Sequence, residues 1–188
     1  MLRRGGVEIT GFVSDISGGP VAHARVRASK SEWRDLEPGP MVETDARGAF
    51  ALWVKPGIVH VTATADGYSA GRDSGSAPGR FAIALAPEAT VAGMVVDGRT
   101  NQPLQGVSVL ISEADSRWGA DVKKTVSDAE GQFFVAQLPA GRYSASVRNA
   151  IGYGRSEGSV LAGLGQQVGG LTVTGRLSRT ERGSPFAE

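Results

Sequence analysis

Apolar residues alternate with polar ones in short runs that Gly and Pro interrupt. "VEITGFVSD", Val7 to Asp15, is one such run, and "VAHARVRAS" carries Val21, Ala24 and Val26 as its apolar members. In "GAFALWV" the residues Phe50, Leu52 and Val54 share a face, and in "IVHVTATA" so do Val59, Val61 and Ala63. "GRFAIALAP" repeats the pattern with Phe81, Ile83 and Leu85. A period of two is the strand signature, because successive side chains leave a strand on opposite faces. No window of useful length carries the helical period. The expectation is an all-β chain, with Lys30 to Val42 a long excursion between strands.

The pattern occurs twice. Pro20, Asp45, Gly48, Phe50 and Pro56 reappear as Pro103, Asp128, Gly131, Phe133 and Pro139, each 83 positions later. Gly11 matches Gly93 at 82, Gly57 matches Gly141 at 84, and Gly67-Tyr68 matches Gly152-Tyr153 at 85. Drift of one residue at a time is what small loop insertions produce. In "DARGAF" and "DAEGQF" the Asp can accept hydrogen bonds from the backbone just after it, and the Gly takes a left-handed corner. Asp45, Gly48, Asp128 and Gly131 are therefore structural turn residues. A period near 83 exceeds a solenoid repeat and suits a small sandwich domain. "LAPEATV", with Pro87, is the joint.

These residues resemble the carboxypeptidase regulatory-like domain, a transthyretin-like (prealbumin-like) fold. The first copy of the pattern runs Gly11, Gly19-Pro20-Val21, Ala24-Arg25-Val26, Thr44-Asp45, Gly48, Phe50, Pro56-Gly57 and Gly67-Tyr68. The second runs Gly93, Pro103-Leu104, Gly106-Val107, Ser127-Asp128, Gly131, Phe133, Leu138-Pro139, Gly141, Tyr143 and Gly152-Tyr153. The resemblance implies two tandem seven-stranded Greek-key β-sandwich domains, residues 7–86 and 90–177. Residues 87–89 form the linker, with tails at 1–6 and 178–188. It also implies a non-catalytic structural or interaction module in an extracellular, periplasmic or cell-envelope protein, with another envelope protein or a carbohydrate as partner. A short Pro-containing joint between two rigid bodies predicts a monomeric rod. A hydrolase-associated accessory domain is a minor alternative.

Composition narrows the chemistry. The chain has 188 residues, 40% of them hydrophobic, so a core can form. Its formal net charge of +1 offers no basic excess for nucleic acid. With no Cys, disulfides, thiolate metal sites and Cys nucleophiles are excluded. No apolar run is long enough to span a bilayer. "MLRRGGVEITG" has basic residues but no apolar core, unlike a signal peptide.

The candidate active groups are few. "GRSEG", 154–158, fits the G-x-S-x-G pattern, but that motif needs a strand-to-helix turn above an α/β sheet. His60 alternates with Val59 and Val61 and so faces outward, and His23 follows a turn. Neither has a zinc-site motif around it. Hydroxyisourate hydrolases share the transthyretin-like fold, yet this chain ends "RGSPFAE" without their terminal Tyr, and its second half has no His. "TDARG" and "SDAEG" carry too few carboxylates for a calcium loop. "GLGQQVGG" lacks the third glycine of a dinucleotide fingerprint and reads as a turn between strands. No enzyme activity, metal or cofactor is expected. Trp33 and Trp118 fall in equivalent loops and could stack on sugar rings, which makes a carbohydrate-binding module the alternative. Trp53 is offset by one from the core set and should point out of the sheet, where it is a third candidate ligand-binding residue and could cover the domain joint or form part of a partner surface. "VTGRLS" echoes "ITGFVS", as if a third copy begins.

Overall fold

The computed structural model describes residues 6–30, 39–114, 123–149 and 152–175. Every regular element among them is a β-strand. Two compact units emerge: Met1–Glu88 with Gln137–Pro139, and the remainder from Ala89 onward.

The first unit contains β1 (Val7–Asp15), β2 (Arg25–Ser29), β3 (Met41–Glu43), β4 (Ala49–Val54), β5 (Gly57–Thr64), β6 (Gly71–Ala77) and β7 (Gly79–Leu85). They form two sheets, in the orders β4-β1-β7 and β3-β2-β5-β6. β1 runs antiparallel to β4 and parallel to β7. The inner faces of both sheets meet in one core. Ile9, Val13, Phe50, Leu52, Phe81 and Ile83 come from the first sheet, and Val26, Ala28, Val59, Val61 and Ala63 from the second. Alternation thus places every apolar set named from the sequence on the inside.

The second unit contains β8 (Ala89–Asp97), β9 (Ser108–Glu113), β10 (Lys123–Val126), β11 (Gln132–Leu138), β12 (Gly141–Asn149), β13 (Gly152–Ser156), β14 (Val160–Ala162) and β15 (Gln167–Gly175). Its sheet runs β10-β9-β12-β13-β15-β8-β11, with β14 paired to β12. The segments β11-β8-β15 and β10-β9-β12-β13 repeat the strand orders of the first unit. Two features differ. First, β13 pairs with β15, through Gly154↔Gly175, Arg155↔Thr174 and Ser156↔Val173, so the two halves join into one eight-stranded sheet. Second, β6 pairs with β5 without a break from Gly57↔Ala77 to Ala63↔Gly71, whereas the corresponding edge of β12 is shared. β13 takes Ser146 to Asn149 and β14 takes Gly141 to Tyr143. The polar "EGS" between them leaves the ladder, which creates the extra strand.

Three local readings of the sequence require correction. The run from Val21 is strand only from Arg25, because Ala22 and His23 form a turn in which His23 adopts φ 57°. The long excursion ends earlier than Val42, because Met41 and Val42 already belong to β3, and its residues 31–38 lie outside the described residues. "GLGQQVGG" is not all turn: Gln167 to Gly170 open β15, with a register shift between Val168 and Leu171 where Gly170 has φ 98°.

Backbone proximity explains the repeated glycines at 11 and 93. A Cβ on Gly11 would collide with the Phe50 ring and the Phe81 carbonyl oxygen. One on Gly93 would collide with the Phe133 ring and the Leu171 carbonyl oxygen. Each Phe lies across the bare backbone of the central strand.

A second paired device holds the crossing from the first strand of each unit to the next. The Thr44 hydroxyl donates to the Val21 carbonyl at 2.7 Å and accepts from the Ala24 N–H at 2.9 Å. Ser127 does the same in the second unit, donating to Leu104 O at 2.6 Å and accepting from Val107 N–H at 3.0 Å. Both side chains are buried, at 2% and 3% exposure, so neither backbone pair has water as a substitute.

Removing that hydroxyl should be costly. Thr44→Val and Ser127→Ala are each expected to lower unfolding free energy by about 1–3 kcal/mol in denaturant titrations. Gly11→Ala should lower it by a similar ~1–3 kcal/mol through overpacking, since strand backbone cannot recede from the new methyl. A neutral Gly11→Ala would disprove the close-approach account.

Candidate functional site

The turn residues lie where the spacing puts them. Asp45 Oδ1 accepts from Arg47 N–H at 2.8 Å and Ala49 N–H at 2.9 Å, while Gly48 adopts φ 77°. Asp128 Oδ1 accepts from Glu130 N–H at 3.1 Å and Gln132 N–H at 2.7 Å, with Gly131 at φ 73°. Two backbone donors hold the Asp45 carboxyl below the usual carboxylate range, and the Arg47 guanidinium assists. Asp97, in the turn after β8, is lowered in the same way by the N–H groups of Thr100 and Arg99. These carboxylates stabilise the turns in which they lie. Among the described residues, no three His, Asp or Glu side chains gather as a metal-holding group.

Of the three tryptophans, Trp33 and Trp118 lie outside the described residues. Trp53 is 63% exposed on the outer face of β4-β1-β7. Register aligns it with Glu8, and sets Phe12 between Ala49 and Ala82. Ala51 and Ala84 are also exposed on these strands. This outer face is therefore mixed: two aromatic rings and four alanines share it with Glu8, Thr10, Ser14 and Arg80, and the Thr10–Ala51–Arg80 row lies between Phe12 and Trp53.

The remaining candidates have structural partners or none that implies catalysis. Ser156 ends β13; its hydroxyl donates to Gly158 O at 2.6 Å and accepts from Ala145 N–H at 3.2 Å. The next described element is the strand β14, whereas the G-x-S-x-G elbow places its Ser on a strand-to-helix turn. His23 is solvent-exposed, 3.9 Å from Glu43, and such exposed pairs contribute little.

His60 belongs to a feature that motif reading missed. The outer face of β3-β2-β5-β6 bears a shallow groove of about 730 Å³. Register places Met41, Arg27, Thr62 and Arg72 in one row across the four strands. Ser29, His60 and Ser74 form a second row, and Arg25 and Thr64 belong to a third. Asp73 also borders the groove, but it pairs with buried Val61 and accepts from the N–H of Ser74 and Ala82. Its parity is thus inward. The outward signal was present in the sequence as "RVRAS", with an Arg at each alternate position before the small residues begin.

Comparison with known proteins identifies the second half of the chain. Residues 90–180 match the model of the carboxypeptidase regulatory-like domain. No curated protein matches the sequence. Among solved structures, the chain is similar to the Bacillus anthracis TIE protein, with 15% identity, TM-score 0.41, and coverage of 92% of this chain and 34% of that one. A streptococcal ancillary pilin shows 16% identity and TM-score 0.42, covering 96% and 64%. The shaft pilin SpaA from Lactobacillus rhamnosus GG shows 12% identity and TM-score 0.37, covering 93% and 98%. The chain therefore spans 34% and 64% of the lengths of the first two. No residue here takes a role from these likenesses.

Carboxylates whose folded pKa is depressed stabilise the fold above their unfolded pKa, and that contribution disappears as pH falls through the folded value. For Asp45 and Asp97 the loss should begin below about pH 4, near the ordinary Asp value, and extend lower. Melting temperature measured against pH should show a shallower acid limb for Asp45→Asn, whose Oδ1 still accepts from the turn. An unchanged limb would exclude the Asp45 carboxylate from acid sensitivity.

Proposed function

We propose that the chain is a tandem pair of carboxypeptidase regulatory-like modules, the first copy occupying residues 7–86, and that it serves as a non-catalytic interaction unit of a secreted or cell-envelope protein. The repeated strand order supports the first unit as a copy, as do the Thr44 and Ser127 hydroxyl bridges and the Asp45 and Asp128 turns. The family resemblance supports the envelope setting and the structural role.

The observation that carries an interaction role is the outer face of β4-β1-β7. Phe12 and Trp53 are 43% and 63% exposed there, among alanines. Aromatic residues are enriched at the contact surfaces of proteins, where polar groups such as Thr10 and Arg80 can stand between them. A large ring on a rigid strand loses little conformational freedom on contact, which suits it to anchoring a protein partner. Trp53 is also the described tryptophan on which a sugar could stack, so the face serves the carbohydrate reading as the second choice.

The test is a Phe12→Ser, Trp53→Ser double variant. Both side chains are exposed, so melting should change little, about 0.5 kcal/mol or less per site. Retention of the chain in the envelope fraction of the cells that make it should fall severalfold. Equal retention with an intact fold would refute the assigned face. Turnover of any ester or peptide that Ser156→Ala abolishes would refute the non-catalytic reading.

A further inference from the structure

β6 passes into β7 through Pro78, yet the two strands belong to different sheets of the first unit, and each is the last strand of its sheet. They stand close, since a Cβ on Gly71 would collide with the Ala84 carbonyl oxygen. An edge strand leaves every second N–H and C=O without a strand partner, and each such group needs water or a side chain instead. At this seam the Ala82 N–H donates to Asp73 Oδ2 at 3.1 Å, while Asp73 Oδ1 accepts from the Ser74 N–H at 2.8 Å. Asp73 is half-buried and pairs with fully buried Val61, so its carboxylate reaches from one sheet edge to the other.

We propose that Asp73 is a latch between the two sheets of the first unit, and that the unit opens locally at the β6–β7 seam when the latch releases. A carboxylate acceptor makes the Ala82 bond stronger than a neutral one would be. It is still one side-chain bond at the surface, and such bonds open more readily than a cooperative ladder. An inward-pointing charge on an edge strand also keeps that edge from pairing with another chain.

The second unit shows what the latch replaces. Gly154, Arg155 and Ser156 stand where the first unit has Gly71, Arg72 and Asp73, because Arg155 pairs with Ser146 as Arg72 pairs with Thr62. A Cβ on Gly154 would collide with the Thr174 carbonyl oxygen, so the two strands approach as closely as β6 and β7 do. There Gly154, Arg155 and Ser156 pair with Gly175, Thr174 and Val173. The Ser156 hydroxyl is engaged elsewhere, with the Gly158 carbonyl and the Ala145 N–H. One seam is thus held by paired backbone, the other by a carboxylate.

Amide hydrogen exchange, followed residue by residue by NMR on the full chain, tests the latch. In the parent the Ala82 N–H should exchange about tenfold or more slowly than an unstructured alanine amide, despite its place on a sheet edge. Asp73→Ala should speed it by about tenfold or more, as loss of a charge-assisted bond requires. Successive N–H groups of a strand face opposite neighbours, so that of Ile83 faces β1 and should keep its rate within about twofold. Asp73→Ser installs the residue of the second unit, is too short to reach Ala82, and should act as Asp73→Ala does; it carries the test if the alanine variant does not fold. The proposal is overturned by an Ala82 amide unprotected in the parent or by an unchanged Ala82 rate in a folded variant. Equal acceleration of Ala82 and Ile83 also overturns it, because that marks general destabilisation rather than release of a seam.

Discussion

A segment that passes beneath a sheet must find partners for its own N–H and C=O groups where no ladder can supply them. In each unit that need falls on the crossing from the first strand to the second, and one buried hydroxyl meets it. Thr44 bridges Val21 and Ala24; Ser127 bridges Leu104 and Val107. The following residue is the Asp of the turn, the Gly three further on takes positive φ, and the Phe two beyond that covers the bare glycine of the central strand. The hydroxyl, carboxylate, corner and ring therefore work as one device. It fixes where the crossing lies, where β4 or β11 begins, and how closely the central strand approaches its neighbours. Gly48 O and Gly131 O complete it by accepting from Val13 N–H and Val95 N–H, both at 2.8 Å.

That device is why so much of the fold was legible. Its members are spaced rigidly in sequence because they are spaced rigidly in space, and a duplicated pattern doubles the signal. Alternation likewise located the inner faces of β4, β5 and β7, where burial is close to binary along the strand. The missed elements carry no such signal. β6 is "GRDSGSA", a strand on a sheet edge whose residues are small or polar, so its pairing with β5 comes from backbone hydrogen bonds and leaves no apolar rhythm. β3 is three residues long, too short for any period to show. The split of the matching edge into β13 and β14 depends on a polar interruption that reads like any other Ser/Gly turn.

The site was less legible for a related reason. Motif reading looks for residues close in sequence, whereas a sheet face assembles its groups across strands. Arg27 and Arg72 are far apart in the chain and become members of one row only through two successive registers, β2 on β5 and β5 on β6. The second of those strands was the one with no periodic signal. A reading that omits β6 also omits Arg72, and the arginines of β2 then look like solvated charges on an ordinary outer face. The tryptophans drew attention because they are conspicuous singly; the groove is conspicuous only as a set.

Duplication separates what the architecture requires from what it merely tolerates. Positions occupied alike in both units, namely the hydroxyl, Asp, Gly and Phe, all touch backbone or core. Positions that differ include core ones, such as Ala28 against Ile111, and several on outer faces: Arg27 against Leu110, Arg25 against Ser108, Trp53 against Ala136. Since the same strand order forms with either member of each pair, folding does not determine the outer residues. Solubility alone would scatter charge of both signs. It does not account for two aromatic rings, Phe12 and Trp53, standing exposed on one sheet face of the first unit. Exposed rings at positions that the fold leaves free to vary are better explained by a contact that the rigid sheet presents.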